Sequence, residues 1–182
     1  MVGRLLKAPA RLLHPLRRRA ARAALRGRAP RVIVVVCHGN ICRSPLAAAL
    51  LRRALGSDGI RVESAGFAGP NRVAPHDAVA AAARRGVDLS NHRSRLLTAD
   101  LVSAADLLVV MEPEQQRAVC ERFGRWPRDV IVLGDLDPAP IEARTIRDPI
   151  EQGPDVFEAS YARIECCVRE FASVLGSVAG GP

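Results

Sequence analysis

The first thirty residues contain no acidic side chain, although they carry nine Lys or Arg. The remaining chain holds 18 Arg against 19 Asp or Glu, so the formal charge of +8 belongs to the N-terminal segment alone. The high isoelectric point therefore gives no reason to assign nucleic acid as a partner of the body. Long apolar runs are also lacking, which argues against a helix that crosses a bilayer. Cysteines are few, and they are odd in number and irregularly placed: Cys37, Cys42, Cys120, Cys166 and Cys167. Such spacing does not describe a secreted disulfide scaffold and points to free thiols in a cytoplasmic protein. No Cys/His group has zinc-type spacing, and no metal or other cofactor is called for. Neither the glycine spacing and lysine of a nucleotide-binding P-loop nor a dinucleotide fingerprint occurs, and no internal repeat is visible.

With 182 residues, 48% apolar and 25% charged, the chain suits one packed domain. The segment 1–30 is expected to be a basic, flexible extension ahead of a domain over 31–182. Pro9 and Pro15 interrupt a first helix there, while residues 16–26 could form a short one. A disordered arm, an amphipathic surface-binding segment and a targeting sequence all fit its composition. Weak contact with an anionic surface follows from its charge.

In the body, residues 31–36 (RVIVVV) read as a fully buried strand. Pro45 opens a helical pattern, LAAALLRRAL. A second strand follows at 60–65, then a helix from Asp77 to Arg85 with Gly86 at its end. Thr98 caps a short helix to about Ala104, and 107–111 is a third strand. Pro113 starts the next helix, 129–133 is the last strand, and a long helix runs from Asp155 to about Val178 with a frayed C-terminus beyond it. Strands alternating with helices predict an α/β fold, a parallel sheet with helices on both faces. Ligands of such sheets bind at the carboxyl ends of the strands, where Cys37 stands.

The stretch from Cys37 to Pro45, CHGNICRSP, turns sharply from strand to helix and so aims successive backbone N–H groups at one point, with the helix adding its positive end. Gly39 removes side-chain bulk where the loop curls, and Asn40 tolerates a strained turn conformation. Such a cradle holds a tetrahedral dianion and favours a thiolate at its centre. Arg43 can close it with a bidentate fork, and Ser44 can hydrogen-bond the sulfur.

CHGNICRSP resembles the C-x5-R-S signature of low-molecular-weight protein tyrosine phosphatases. SAG at 64–66, GVDLSNHRSR at 86–95, LLVVM at 107–111, RDP at 147–149 and DVFEASYARI at 155–164 resemble later blocks of that family, over about residues 31–177. The resemblance implies a single-domain four-stranded parallel sheet with the oxyanion loop after the first strand, and hydrolysis of aryl phosphate monoesters through a phosphocysteine without cofactor. It implies Cys37 as nucleophile, Arg43 as phosphate ligand and Asp148 as general acid. His38, Gly39, Asn40, Ile41, Cys42 and Ser44 form the loop, and His92 buttresses it. It also implies that Cys42 could form a reversible disulfide with Cys37 under peroxide. The partner implied is a phosphotyrosine-containing protein, with a tyrosine kinase as one candidate.

Read from residues alone, the acid has rivals. Asp135 and Asp137 lie in the same proline-rich segment, and Asp137-Pro138 is hardly distinguishable from Asp148-Pro149; only the family register selects Asp148. The chain departs from many relatives after the Asp-Pro, where Ile150-Glu151 stands instead of aromatics, so an aromatic wall would have to come from Phe67. Two other functions fit the same loop: a thiol-dependent arsenate reductase, which needs relay cysteines near Cys37, and a phosphoryl-binding module without turnover.

Overall fold

The run of β-branched residues behind Cys37 becomes one of the two inner strands of the sheet. In the computed structural model, which describes residues 8–56 and 59–176, β1 (Val32–Cys37) pairs on one side with β2 (Arg61–Gly66) and on the other with β3 (Leu107–Val110). β4 (Val130–Val132) completes a four-stranded, wholly parallel sheet of order β2-β1-β3-β4. Strand order reverses between β1 and β3, so the crevice expected to take a ligand lies beyond Cys37 and Met111.

Alternation along β1 sorts its side chains. Ile33, Val35 and Cys37 join one core cluster, and Val34 and Val36 join the other. The first cluster is covered by α2 (Arg43–Leu55), α3 (His76–Ala83) and α6 (Pro154–Gly176). The second is covered by α4 (Ala99–Ala104) and α5 (Pro113–Phe123). Both faces are thus dry, which explains why β1 reads as continuously apolar.

Local signals account for most boundaries. Thr98 Oγ1 accepts the Leu101 N–H at 3.3 Å and starts α4. Pro113 is the first residue of α5, whose end is capped by left-handed Gly124. Along α6, Phe157, Tyr161, Ile164, Val168, Phe171 and Leu175 are all buried. Burial of each such side chain is worth about 1.5–3 kcal/mol, which outweighs modest local propensity. The start of α2 departs from expectation, at Arg43 and not at Pro45. Pro45 still falls in the first turn, where a missing N–H costs nothing. The strand expected at 129–133 is shortened because the chain tightens into a 3₁₀ turn at Leu133–Leu136. The expected frayed C-terminus lies outside the described residues.

The N-terminal segment corrects the expectation of a flexible extension. Residues Ala8–Leu25 form a helix, α1, with Pro15 inside it. Ala21 and Leu25 enter the main core, Arg18 and Arg22 both pair with Glu170 of α6, and His14 Nε2 donates to the Asp137 carbonyl at 2.9 Å. Pro15 is exposed, so the backbone bond it cannot make is lost on a face that water reaches. Tertiary packing supplies what the proline removes.

Gly134 lets the turn after β4 pack closely on the backbone of Arg144. A Cβ there would stand 2.0 Å from the Arg144 carbonyl oxygen, a backbone atom with no freedom to retreat. Gly134→Ala is expected to lower stability by about 3 kcal/mol or more, the upper range for overpacking. Urea unfolding checks this, and an unchanged midpoint would contradict the close approach.

Candidate active site

The Cys37-to-Arg43 turn is built around Asn40. Its φ of 51° places it in the left-handed region, and its side chain compensates by bonding in three directions. Asn40 Nδ2 donates to Ser44 Oγ and to Ser64 Oγ, both at 2.9 Å, and its Oδ1 accepts the Arg95 N–H at 3.0 Å. His92 Nε2 donates to the Asn40 carbonyl at 2.6 Å, which assigns the ring proton to that nitrogen. Gly66 lies against the turn: a Cβ there would meet the His38 carbonyl at 2.7 Å and the Asn40 N–H nitrogen at 2.8 Å. The glycine of the SAG block is therefore a requirement of close backbone approach, beyond the strand ending read from sequence.

Within this frame Cys37 Sγ lies 3.0 Å from Ser44 Oγ, both buried, at the start of α2. No side chain caps α2, so the N–H groups of its first turn, with their partial positive charge, remain for an anion. Burial pushes the Cys42 thiol up to about 12, with Cys37 and Asp148 adding to the rise, so Cys42 is protonated at neutral pH. Tyr161, buried beneath the loop, donates its hydroxyl to the Cys42 carbonyl at 3.1 Å, and its own ionisation is pushed up by the same burial.

Arg43 is 1% exposed. Its guanidinium donates to Glu112 Oε1 at 2.7 Å, to Asp148 Oδ2 at 2.5 Å and to the Ile146 carbonyl at 2.9 Å. Burying an arginine costs several kcal/mol unless it is paired in this way. Arg43 Nε nevertheless has no partner among the described residues, although it is buried. The three competing aspartates separate cleanly in space. Asp135 is held by both arms of Arg144 at 2.8 and 2.7 Å, and Asp137 by Arg163 at 2.9 Å, whereas Asp148 meets Arg43.

Several neighbours were not singled out from sequence. Glu112 follows β3 at the reversal of strand order, and that position was its only advance signal. Ser64, Arg95 and Arg72 arrive from β2 and distant loops. Arg72 Nη1 would lie 3.3 Å from a Cβ on Gly39. A cavity of about 140 Å³ is lined by Cys37, His38, Gly39, Ile41, Cys42, Arg72, Asp148 and Ile150. A wider groove of about 530 Å³ adjoins it through His38 and Asp148 and includes Phe67, Glu112 and Arg122. Phe67 thus stands at the cleft, on its outer side. Among the described residues no group of His, Cys, Asp or Glu is arranged to hold a metal ion.

Comparison with known proteins agrees with this geometry. The family model described as low molecular weight phosphotyrosine protein phosphatase matches residues 32–178. A probable low molecular weight protein-tyrosine-phosphatase, EpsP of Ralstonia solanacearum, is 40% identical over 136 residues, covering 74% of this chain and 89% of that protein. A protein-arginine-phosphatase of Bacillus subtilis is 33% identical over 146 residues, covering 79% and 95%. The crystal structure of the tyrosine phosphatase Wzb from Escherichia coli K30 in complex with sulphate superposes with a TM-score of 0.73 at 30% identity, covering 81% of this chain and 100% of that one. A thiol-bearing loop at the reversal point of a four-stranded parallel sheet and a family match running from β1 into the last helix lead to one assignment: this chain belongs to the low molecular weight protein tyrosine phosphatases.

Proposed function

We propose that the chain hydrolyses phosphotyrosine in proteins, with Cys37 as nucleophile, Arg43 as phosphate ligand, and Asp148 as general acid and then base. The observation that carries this reading is the state of Arg43, buried at the end of the thiol loop with one donor nitrogen unsatisfied. An unpaired buried donor is costly, and a phosphate oxygen is the acceptor this loop would provide. Asp148 lines the same cavity as Cys37, where a carboxyl group can hand its proton to the leaving oxygen.

The Cys37 thiolate attacks phosphorus in line, the phosphorus–oxygen bond breaks, and Asp148 passes its proton to the leaving phenolate oxygen. Water then attacks the phosphocysteine while Asp148 takes up its proton, and sulfur departs with the Ser44 hydroxyl, 3.0 Å away, as hydrogen-bond donor. Gly39, Ile41 and the other loop residues contribute backbone donors to the equatorial oxygens. His38, Asn40 and His92 hold the loop, and Cys42 can serve as the resolving thiol once Cys37 has been oxidised. Cys120 on α5 and Cys166 and Cys167 on α6 sit within helices, and burial pushes the Cys167 thiol up, which weighs against a thiol relay for arsenate reduction.

Protein phosphoarginine is a second candidate substrate, since a relative named for that activity covers most of the chain. The inner cavity weighs against it. Ile41 and Ile150 offer apolar walls to a flat ring, and Arg72 adds positive charge where phosphoarginine would bring its own. Phosphotyrosine peptides are expected to exceed matched phosphoarginine peptides by about tenfold or more in kcat/KM, the scale of discrimination in an apolar pocket. Equal or reversed preference would transfer the substrate assignment to phosphoarginine. A tyrosine kinase is one candidate among the phosphoprotein partners. The five free cysteines support a reducing, cytoplasmic setting, and among the described residues no helix is long and apolar enough to cross a membrane.

A further inference from the structure

Helix α1 lies before the family match, which begins at residue 32. Its inner face is fully accounted for by Ala21 and Leu25 in the core and by the arginine pairs to Glu170. Its outer face is different in kind. Leu12 is 77%, Leu16 66% and Leu13 42% exposed, three of the six large apolar residues that stand exposed among the described residues. Leu12, Leu16, Ala20 and Ala23 fall on one stripe at helical spacing, all exposed. Arg19 borders the stripe on one side and Arg17 on the other, and neither enters an ion pair among the described residues.

We propose that this outer face of α1 docks on an anionic lipid surface, with the leucines entering the headgroup boundary and the flanking arginines facing the lipid phosphates. The charge selects the occupant. Arg18, Arg22 and Arg28 are spent on carboxylates of the body. The basic residues that remain, Arg17 and Arg19 among them, with no acidic residue in the segment, suit a uniformly negative plane better than a protein surface of mixed sign. Nucleic acid would satisfy the arginines and leave the leucines in water. A helix with an apolar stripe, cationic flanks and too little apolar length to span lies in the interface plane.

The docked orientation follows from the ends of the helix. His14 bonds the Asp137 carbonyl beyond β4, at the carboxyl ends of the strands, while Arg28 just past α1 pairs with Asp129 at 2.8 Å, before β4 begins. The helix therefore runs antiparallel to the strands, and Leu12, Leu13 and Leu16 lie toward the end of the sheet that carries Cys37. A docked molecule keeps its cleft near the lipid. If the phosphatase reading holds, the phosphoproteins it serves carry their phosphate close to a membrane.

The test uses the full chain and no substrate, so it stands apart from any failure of the catalytic reading. Co-sedimentation with vesicles of phosphatidylcholine plus phosphatidylglycerol is compared with phosphatidylcholine alone, at low and high salt. The chain is expected to bind the anionic vesicles and to release as salt rises. Leu12→Glu with Leu16→Glu should lower the partition constant roughly tenfold or more. Arg17→Gln and Arg19→Gln should each lower it roughly fivefold. All variants should hydrolyse soluble nitrophenyl phosphate at the parent rate. If the glutamates disturb folding, Leu12→Ala with Leu16→Ala gives the same readout at smaller size. Absence of binding to anionic vesicles overturns the proposal, as does binding that ignores the leucines. A preference for duplex DNA, or a concentration-dependent dimer abolished by the leucine changes, overturns it equally.

Discussion

Cys37→Ser is expected to abolish hydrolysis of aryl phosphates, with a fall of roughly 10⁵-fold or more in kcat, the scale seen when a covalent nucleophile is removed. A serine hydroxyl can still hydrogen-bond Ser44 Oγ, 3.0 Å from the native sulfur, so the loop should keep its form. What the proposed mechanism loses is its sulfur nucleophile at the focus of the backbone dipoles, for which a hydroxyl is a far weaker substitute. Phosphate should still bind to the variant as a competitive ligand, measurable by calorimetry. Residual turnover above about a hundredth of the parent rate would assign the chemistry to another group. Arsenate-dependent thiol consumption by the parent protein would favour the reductase.

Asp148→Asn is expected to lower kcat for phenyl phosphate by about 10²–10⁴-fold and to lower it much less for nitrophenyl phosphate. The amide oxygen can still accept from Arg43, preserving the contact seen at 2.5 Å, while the proton donor disappears. A poor leaving group depends on that proton in the transition state and an activated one hardly does. A plot of log kcat against leaving-group acidity should therefore become steep in the variant. Equal losses for both substrates would mean that Asp148 acts only by orienting Arg43, which would leave the acid unassigned. The mirror substitutions Asp135→Asn and Asp137→Asn break ion pairs to Arg144 and Arg163 and leave Arg43 alone. They should act through stability, with no change in leaving-group dependence.

Which parts of this could be read from the chain itself depends on the distance over which each interaction works. The strand behind Cys37, the Thr98 cap, Pro113 at the start of α5 and the stripe along α6 are set by neighbours within a few residues, and all were legible. The thiol loop was legible for the same reason, since Asn40 meets Ser44 four positions away. Glu112 reaches Arg43 across 69 positions and Arg95 reaches Asn40 across 55, and no local pattern announces either. Asp148 was chosen over Asp137 only through the family register, and its separation from Arg43 is larger still. The sequence offered a short helix over 16–26, but the first half of α1 was missed because Pro15 is a strong local signal against helix, whereas the support of α1 includes Glu170, more than a hundred residues away.

That long reach bears on how the enzyme comes into being. A nascent chain that has emerged as far as β2 already holds Cys37, Asn40, Ser44 and Ser64, while His92 and Arg95, which fix Asn40, are still to come. Its arginine has met neither carboxylate, because Glu112 and Asp148 are still to be translated. Each growing polypeptide therefore passes through an interval in which Cys37, the proposed nucleophile, exists without Asp148, its proposed acid, and without the last helix that packs beneath the loop. Oxidants and electrophiles encountered during that interval would meet a thiol that the finished molecule exposes only through the floor of a narrow cavity.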